Sequence, residues 1–306
     1  MSTAVSESPV LVIGGTGKQG GATARALLAR GAPVRALVRD PAADRARDLE
    51  RRGAALVLGD LNDPESLVAA ATGARAVFSV QTPDPSDLAS DSERVQGKNL
   101  VEAAQAAGVP HFVHTSVSGA GDYHRAAPGW TEGRWNEHCW ESKAYTDELV
   151  RAAGFRHWTI IQPAFFMENF IRPSFLFRNW VEDEFRTVLR ADTWLPLVAV
   201  DDIGTTAALA IADPQKFHGV TVDLAGDYLP MTEIARILSE AWAARIELPA
   251  LSPAEALAQG LIPELVNGHE WMNEVGSPAR PEHARALGIP TTLLRDWAAR
   301  TGGPAS

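Results

Sequence analysis

The residue types best suited to chemistry stand near the start of the chain, where glycines recur at the spacing G-x-x-G-x-x-G. Residues 10–13 are four apolar residues in a row, typical of a buried strand, and Gly14, Gly17 and Gly20 follow them. Gly14 lets the chain turn, Gly17 lets a phosphate approach the backbone, and Gly20 lets a following helix pack closely on the sheet. The stretch therefore predicts a strand, a tight turn and a helix whose N-terminus binds the pyrophosphate of a dinucleotide.

The end of the second predicted strand indicates which dinucleotide is bound. Arg39 occupies the position that faces the adenosine ribose, where a carboxylate suits NAD and an arginine suits the 2′-phosphate of NADP. Lys18 adds a second cation, and Asp40 is expected to point away. The pattern favours NADP(H) over NAD. The alternative is that Arg39 is a solvated charge at a strand end.

The third predicted strand ends at Gly59-Asp60-Leu61. Asp60 either accepts a hydrogen bond from adenine, with Leu61 against the ring, or caps the following turn. The full set of residues predicted to contact the cofactor is Gly14, Thr16, Gly17, Lys18, Gln19, Gly20, Arg39, Asp60, Leu61, Gln81, Lys143, Pro163 and Phe166.

Catalysis is predicted further along the chain, at Ser116 after the fifth strand and Lys143 on the next helix. Hydride-transfer enzymes of this build place a serine and a Tyr-x-x-x-Lys pair there, in which the tyrosine protonates the substrate. Here Cys139 replaces that tyrosine, so Ser116, Tyr123 or water must supply the proton. Lys143 either serves the reaction or forms a surface pair with Asp147. Cys139 is interpreted as a small buried residue.

Aromatic residues indicate a flat, apolar substrate. The residues predicted to contact it are Trp130, Trp135, Trp140, Phe165, Met167 and Asn169. The alternative is that these side chains belong to the core, as most aromatic residues do. The histidines at positions 114, 124 and 138 lack the spacing of metal ligands, so no metal site is predicted.

The elements that must position these residues alternate between strands and helices through the first half of the chain. This alternation predicts an α/β fold, a doubly wound parallel sheet with ligands at the carboxyl ends of its strands. Residues 117–137 are predicted to be a long irregular loop. The cofactor domain should span residues 9–163 and be rejoined by residues 197–224, and residues 164–196 and 225–306 should form a smaller, mostly helical substrate domain.

Composition restricts the class of partner. The chain has 306 residues and a formal net charge of −10, which argues against binding nucleic acid or anionic membranes. The single cysteine cannot form an intramolecular disulfide, and residues 1–8 lack the features of a signal peptide, so a cytoplasmic location is expected. No apolar run is long enough for a membrane span. A small-molecule substrate and a monomer or homodimer are therefore predicted.

Several of these motifs together resemble the NmrA-like family of atypical short-chain dehydrogenase/reductases. They are the glycine turn, Val38-Arg39, Gly59-Asp60, Lys143, residues 162–169 (QPAFFMEN) and residues 200–204 (VDDIG). The resemblance implies an extended Rossmann domain that binds NADP(H) and a small C-terminal substrate domain. It implies two alternatives for function: a reductase of quinones, dyes or phenylpropanoids that keeps the lysine without the tyrosine, or a redox sensor that regulates partner proteins.

Overall fold

The chain folds into two compact units. A computed structural model describes residues 8–301, so the predicted N-terminal tail lies outside the described residues except for its last residue. The first unit consists of the described part of Met1–Ala120 together with Glu141–Gln162 and Ile203–Val222. The second unit consists of Gly121–Trp140, Pro163–Asp202 and the described part of Asp223–Ser306.

The strands and helices follow the predicted order closely. The strands are β1 (Val10–Val12), β2 (Val34–Val38), β3 (Ala55–Leu58), β4 (Ala76–Val80), β5 (His111–Thr115), β6 (His157–Pro163), β7 (Phe165–Phe166), β8 (Trp194–Val198), β9 (Val220–Leu224) and β10 (Asp227–Pro230). The helices are α1 (Lys18–Ala29), α2 (Asp44–Arg51), α3 (Pro64–Ala71), α4 (Ser92–Ala106), α5 (Asp122–Arg125), α6 (Glu137–Ala152), α7 (Val200–Ala212), α8 (Pro214–Phe217), α9 (Met231–Ala241), α10 (Pro253–Ala258), α11 (Pro263–Glu274), α12 (Pro281–Ala286) and α13 (Leu294–Thr301).

The first unit is built on a seven-stranded sheet with the strand order β3-β2-β1-β4-β5-β6-β9. β1 pairs in parallel with both β2 and β4, and further parallel pairs join β2 to β3, β4 to β5 and β5 to β6. The order reverses between β1 and β4, which defines a doubly wound sheet with its switch point there. The predicted fold class is confirmed. The carboxyl ends of β1, β2, β4 and β5 consequently lie at one edge of this sheet.

Apolar side chains on one face of the sheet pack with helices α3 and α4 to form a core of the first unit. Leu11, Ile13 and Phe112 are buried on the sheet, and Leu67 and Leu100 cover them from α3 and α4. Continuous apolar runs of this kind are expected where helices cover a parallel sheet. The core thereby holds the strand ends, and the polar residues that follow them, in fixed positions.

The start of α3 shows how local sequence sets an element boundary. The Asp63 side chain accepts hydrogen bonds from the backbone N–H groups of Glu65 (3.2 Å) and Ser66 (3.3 Å), and Pro64 occupies the first helical position. A proline fits there because the first turn needs no intrahelical donor. An aspartate followed by a proline is thus sufficient to define this helix start.

The second unit contains a small sheet that the sequence did not reveal. β10, β8 and β7 form three strands in that order, with β10 antiparallel and β7 parallel to β8. The central strand of this sheet ends at Val198, and Val200 already begins α7. β7 has two residues and β10 has four half-buried ones, so neither shows an alternating pattern. The second unit is thus not helical alone.

The predicted irregular loop at residues 117–137 is interrupted by one short helix, α5. No helix within residues 8–301 is long and apolar enough to cross a membrane. Over the same residues, no group of three or more His, Cys, Asp or Glu side chains could hold a metal ion.

Candidate functional site

The glycine turn after β1 has the geometry of an anion-binding corner. Gly14 adopts a φ of 65°, and an added Cβ there would lie 2.9 Å from Val80 Cγ1. A Cβ on Gly20 would lie 2.3 Å from the carbonyl oxygens of both Ile13 and Gly14, so the start of α1 rests directly on the end of β1. No side chain caps α1 at Gly17. The first N–H groups of this helix therefore remain available to an anion.

Three cationic side chains stand around this turn. Arg39, one residue after β2, and Lys18, the first residue of α1, are both exposed. Arg45 of α2, which sequence reasoning missed, donates from Nη1 to the Thr16 carbonyl oxygen at 3.5 Å. The Asp40 carboxylate accepts a hydrogen bond from the backbone of Ala42 at 2.8 Å, within its own turn. The turn is consequently surrounded by positive charge, which suits a nucleotide with several phosphates.

Asp60 and Leu61 have structural partners in the turn after β3. Asp60 Oδ1 accepts hydrogen bonds from the backbone N of Asn62 (2.8 Å) and from its Nδ2 (3.0 Å). Leu61 packs against the core of the first unit. Of the two alternatives for Asp60, turn capping is therefore observed. An adenine contact for either residue stays a prediction.

Gln19 links the glycine turn to the end of β5. Its Oε1 accepts a hydrogen bond from Thr115 Oγ1 at 2.8 Å. The Gln19 side chain thereby ties the start of α1 to the strand that precedes Ser116, and its contact with the cofactor stays a prediction. The phosphate-binding turn and the predicted catalytic position are thus held together within one unit.

A network of buried polar side chains lies below the carboxyl edge of the sheet and extends from Gln81 to Asp147. Gln81 Nε2 donates to Ser79 Oγ at 3.1 Å, and Ser79 Oγ lies 3.1 Å from Nδ1 of His114. His114 Nε2 lies 3.6 Å from Oδ1 of Asp147. All four side chains are buried. This network joins Gln81, just after β4, to Asp147 in the middle of helix α6.

The other oxygen of Asp147 connects this network to Ser116. Ser116 Oγ donates to Asp147 Oδ2 at 3.1 Å, and Gln162 Nε2 donates to the same oxygen at 2.7 Å. Gln162 Nε2 also donates to the Ala120 carbonyl oxygen at 2.9 Å, which fixes the amide. Asp147 is therefore a fully buried carboxyl group whose one oxygen faces the predicted proton donor.

Burial shifts the pKa of both ionisable groups in this network, Asp147 and His114. Desolvation raises the pKa of Asp147 to about 6, although the hydrogen bonds from Gln162 and Ser116 and the nearby charges of Arg151 and Lys143 oppose it. Desolvation and the charge of Lys143 lower the pKa of His114 to about 3. Near neutral pH the histidine is uncharged, and the carboxyl group gains its proton slightly below neutrality.

Lys143 pairs with an acidic residue that sequence reasoning missed. Its ammonium group forms a hydrogen-bonded ion pair with Glu93 of α4, and the side chains are 16% and 6% exposed. The surface pair with Asp147 that we weighed is wrong, because Asp147 points into the sheet and Lys143 reaches across to α4. Beside them, Arg94 Nε donates to Ser142 Oγ at 3.1 Å. A role for Lys143 in cofactor binding or catalysis stays a prediction.

Tyr123 and the tryptophans belong to the second unit. Tyr123 donates its hydroxyl hydrogen bond to the Val275 carbonyl oxygen at 2.9 Å. Burial raises the pKa of this Tyr123 phenol, which keeps it protonated. Its predicted role as a proton donor is not tested by these contacts.

The three predicted substrate tryptophans are packed by other rings. Trp135 is 5% exposed and meets Trp271 edge-on with ring centroids 5.2 Å apart. Trp140 lies 4.6 Å from the same Trp271, and Trp130 lies 4.5 Å from His124. Trp135 therefore occupies a core position, whereas Trp130 and Trp140 keep partly exposed surface. Substrate contact by these rings stays a prediction.

Of the residues near the end of β6 and after it, some are buried and others are partly exposed. Met167 has no exposed surface and lies in the apolar core of the second unit, rather than at an open edge as we expected. Phe165, Phe166 and Asn169 are half-buried, and Pro163 is buried at the end of β6. The Asn169 carbonyl oxygen accepts a hydrogen bond from Ser174.

Cys139 is exposed, so its interpretation as a buried residue is wrong. It lies in the first turn of α6, where its backbone N donates to Asn136 Oδ1 at 3.1 Å. Capping by Asn136 fixes the helix start, and the Cys139 side chain faces solvent.

The chain belongs to the class of doubly wound α/β proteins with an anion-binding glycine turn after the first strand. Within that class it is a member of the NmrA-like family, which it matches over residues 6–284. The family expected from the sequence motifs is thereby confirmed.

Relatives and a solved structure define this similarity. The chain is 32% identical over 231 residues to the NmrA-like family domain-containing oxidoreductase malD of Malbranchea aurantiaca, covering 70% of this chain and 66% of that protein. It is 31% identical over 280 residues to the NAD(P)H azoreductase of Xenophilus azovorans, covering 90% and 88%. The structure of NmrA, a negative transcriptional regulator in complex with NADP, has a TM-score of 0.76 at 21% identity and covers 96% of this chain and 95% of NmrA. At that identity the likeness concerns the fold.

Proposed function

We propose that this protein is an NADP(H)-dependent reductase that transfers hydride to a small apolar, aromatic or conjugated acceptor such as a quinone, enone, imine or azo compound. The observation that carries the proposal is the placing of the glycine turn, Arg39 and Ser116 at one edge of a single parallel sheet. The NAD(P)H azoreductase relative, which aligns over 90% of this chain, supports the reaction class.

The residues around the glycine turn fit NADP(H). The uncapped start of α1 would hold the pyrophosphate, and the close approach at Gly20 leaves no room for a side chain there. Arg39, Lys18 and Arg45 would meet the 2′-phosphate, and the Asp40 carboxylate is engaged by the backbone of Ala42. When bound, NADPH supplies the hydride. The protein contributes by orienting it, which accounts for much of the rate in such reactions.

The acceptor would be bound by half-buried aromatic side chains of the second unit. Trp130, Trp140, Phe165 and Phe166 combine apolar surface with partial exposure, as the walls of small-molecule sites commonly do. The net charge of −10 disfavours nucleic acid as a ligand. We further propose a cytoplasmic enzyme, monomeric or homodimeric, with residues 164–196 and 225–306 forming the substrate domain.

The direct test is NADPH oxidation, followed at its absorbance maximum, with a panel of quinones, enones, imines and azo dyes. We expect turnover with at least one class and a preference for NADPH over NADH. Tight NADPH binding without turnover across the whole panel would refute the reductase function.

One observation favours a second function, a dinucleotide sensor that regulates partner proteins. Lys143 is already paired with Glu93, and Cys139 stands in place of the usual tyrosine. NmrA, whose fold this chain shares, is a transcriptional regulator. A sensor must bind NADP and NADPH with different affinities, because a ligand shifts an equilibrium only by its differential affinity. Equal calorimetric affinities for the two forms would exclude this second function.

A further inference from the structure

We propose that Ser116 is the proton donor of the reaction and that Asp147, buried behind it, holds the proton that replaces the one given up. Ser116 would be the catalytic residue and Asp147 a positioning residue that acts through it. The inference rests on the proposed reductase function. It deepens that function by assigning the proton that the missing tyrosine would otherwise supply.

The Ser116 and Asp147 side chains are in direct contact. Ser116 follows β5 at the carboxyl edge of the sheet, and its Oγ lies 3.1 Å from Asp147 Oδ2. Gln162 Nε2 donates to the same oxygen at 2.7 Å and is itself held by the Ala120 carbonyl oxygen. Both side chains are buried, with Ser116 8% exposed. A carboxyl group in this position can either accept the serine hydrogen bond or return a proton to the serine oxygen.

The two oxygens of Asp147 have different surroundings, and only Oδ2 contacts Ser116. Asp147 Oδ1 is buried and makes no hydrogen bond with any residue of the described chain, and the group that faces it is His114 Nε2 at 3.6 Å. Ser79 lies 3.1 Å from the other ring nitrogen and receives a hydrogen bond from Gln81. Because burial keeps His114 neutral, Oδ1 faces an uncharged ring rather than a cation. Oδ2 is the oxygen that contacts Ser116, so a proton on Oδ2 would lie directly against the serine oxygen.

The charges around Asp147 only partly offset the effect of its burial. From its own helix, Lys143 and Arg151 face it, and from β5 the neutral His114 does. Glu93 of α4 compensates the charge of Lys143. The two cations therefore do not offset the burial fully, and the pKa of Asp147 is about 6, above the ordinary value of an aspartate. A group with such a pKa can release and regain a proton in each cycle.

The step balances without a further reagent. NADPH held at the glycine turn would supply a hydride to one atom of the acceptor double bond and would leave as NADP, and the π electron pair would pass to the other atom. That atom takes the proton of Ser116 Oγ as the O–H bond breaks, and Ser116 Oγ takes the proton of Asp147 Oδ2. Asp147 is left as a carboxylate that accepts two hydrogen bonds. After product release, water returns a proton through Ser116.

The experiment compares the pH dependence of kcat in the full-length protein and its Asp147→Asn, Ser116→Ala and Glu148→Gln variants. The acid form of Asp147 is required. Wild-type kcat should therefore fall about tenfold for each pH unit above pH 6. Asp147→Asn should have a flat profile and a kcat about 100-fold lower at the acid plateau, with KM and NADPH affinity little changed. Glu148→Gln, an exposed change on the same helix, should behave as wild type.

A second measurement is independent of turnover. The infrared band of the protonated Asp147 carboxyl, identified by its absence from Asp147→Asn, should disappear with a midpoint near pH 6. Ser116→Ala removes a hydrogen bond that favours the carboxylate, so the midpoint of the Asp147 titration should move upward by about one pH unit. An unmoved midpoint would refute the coupling.

The two hypotheses fail in different ways. Turnover with a wild-type pH profile in Asp147→Asn would overturn this inference and leave the reductase function standing. Absence of turnover with every acceptor would overturn the reductase function and the proton-delivery step together, whatever the infrared result.

Discussion

The contact between Gly20 and the end of β1 allows a sharp test of the anion-binding turn. In Gly20→Ala the new Cβ would lie 2.3 Å from the carbonyl oxygens of Ile13 and Gly14, and no real Cβ approaches below 3.0 Å. Backbone atoms cannot rotate away, so α1 must move by about 0.7 Å or more from the strand, at a cost of about 1–3 kcal/mol. Alanine regains at most about 1 kcal/mol of helix propensity.

The neighbouring glycine provides the matched control. In Gly21→Ala the nearest atom, the Gly15 carbonyl oxygen, is 3.1 Å away, which a small shift relieves. Urea unfolding and NADPH titration should show Gly21→Ala within about 1 kcal/mol of wild type. Gly20→Ala should lose stability and bind NADPH at least about tenfold more weakly, because the displaced N–H groups no longer converge on the pyrophosphate. Wild-type stability and affinity in Gly20→Ala would refute the close-approach argument.

Three further predictions concern charge. Glu93→Gln leaves the Lys143 ammonium group with little solvent and no counterion, so unfolding free energy in urea should fall by about 3 kcal/mol; a change within error would show that the pair contributes nothing. Arg39→Gln should raise the calorimetric Kd for NADPH about tenfold or more and leave that for NADH nearly unchanged, and an equal loss for both would contradict the 2′-phosphate role. Burial lowers the pKa of His111 in the folded protein to about 4. As the pH falls from 6.5, the unfolded state therefore takes up a proton on His111 before the folded state does. Thermal melts should therefore show wild type losing stability relative to His111→Phe between pH 6.5 and 4, and parallel curves would refute this.

The order of elements in the first unit could be predicted because each boundary has a local cause. Apolar runs of four or five residues indicate buried strands, and residues such as Asp63 and Pro64 define helix starts without tertiary information. The small sheet of the second unit has no such signal, since β7 and β10 owe their conformation to pairing with β8. Strands this short exist only through their tertiary partners.

The candidate site was predictable where a side chain acts through its position after a strand, as for Arg39 and Ser116. It was not predictable where partners meet across the fold. Glu93 stands 50 residues before Lys143 and carries no feature that distinguishes it from any exposed glutamate at a helix start. His114 has a signal in retrospect, because a histidine within an otherwise apolar strand must find a buried partner.

Lys143 and Asp147 show why spacing alone misassigns such partners. Residues four apart lie on one face of a helix, and on a solvated helix opposite charges at that spacing pair with each other. α6 is not solvated on this face: Asp147 is 0% exposed and Lys143 16%. The short carboxyl side chain reaches only the sheet below, where Ser116 and Gln162 donate to it. The longer lysine extends past it to Glu93 on α4. Side-chain length thus divides one row of a helix between two layers, and a buried carboxyl group is left beside a serine rather than beside the lysine. That separation keeps the pKa of Asp147 near 6, since a direct ion pair with Lys143 would lower it below the range in which the group can hold a proton.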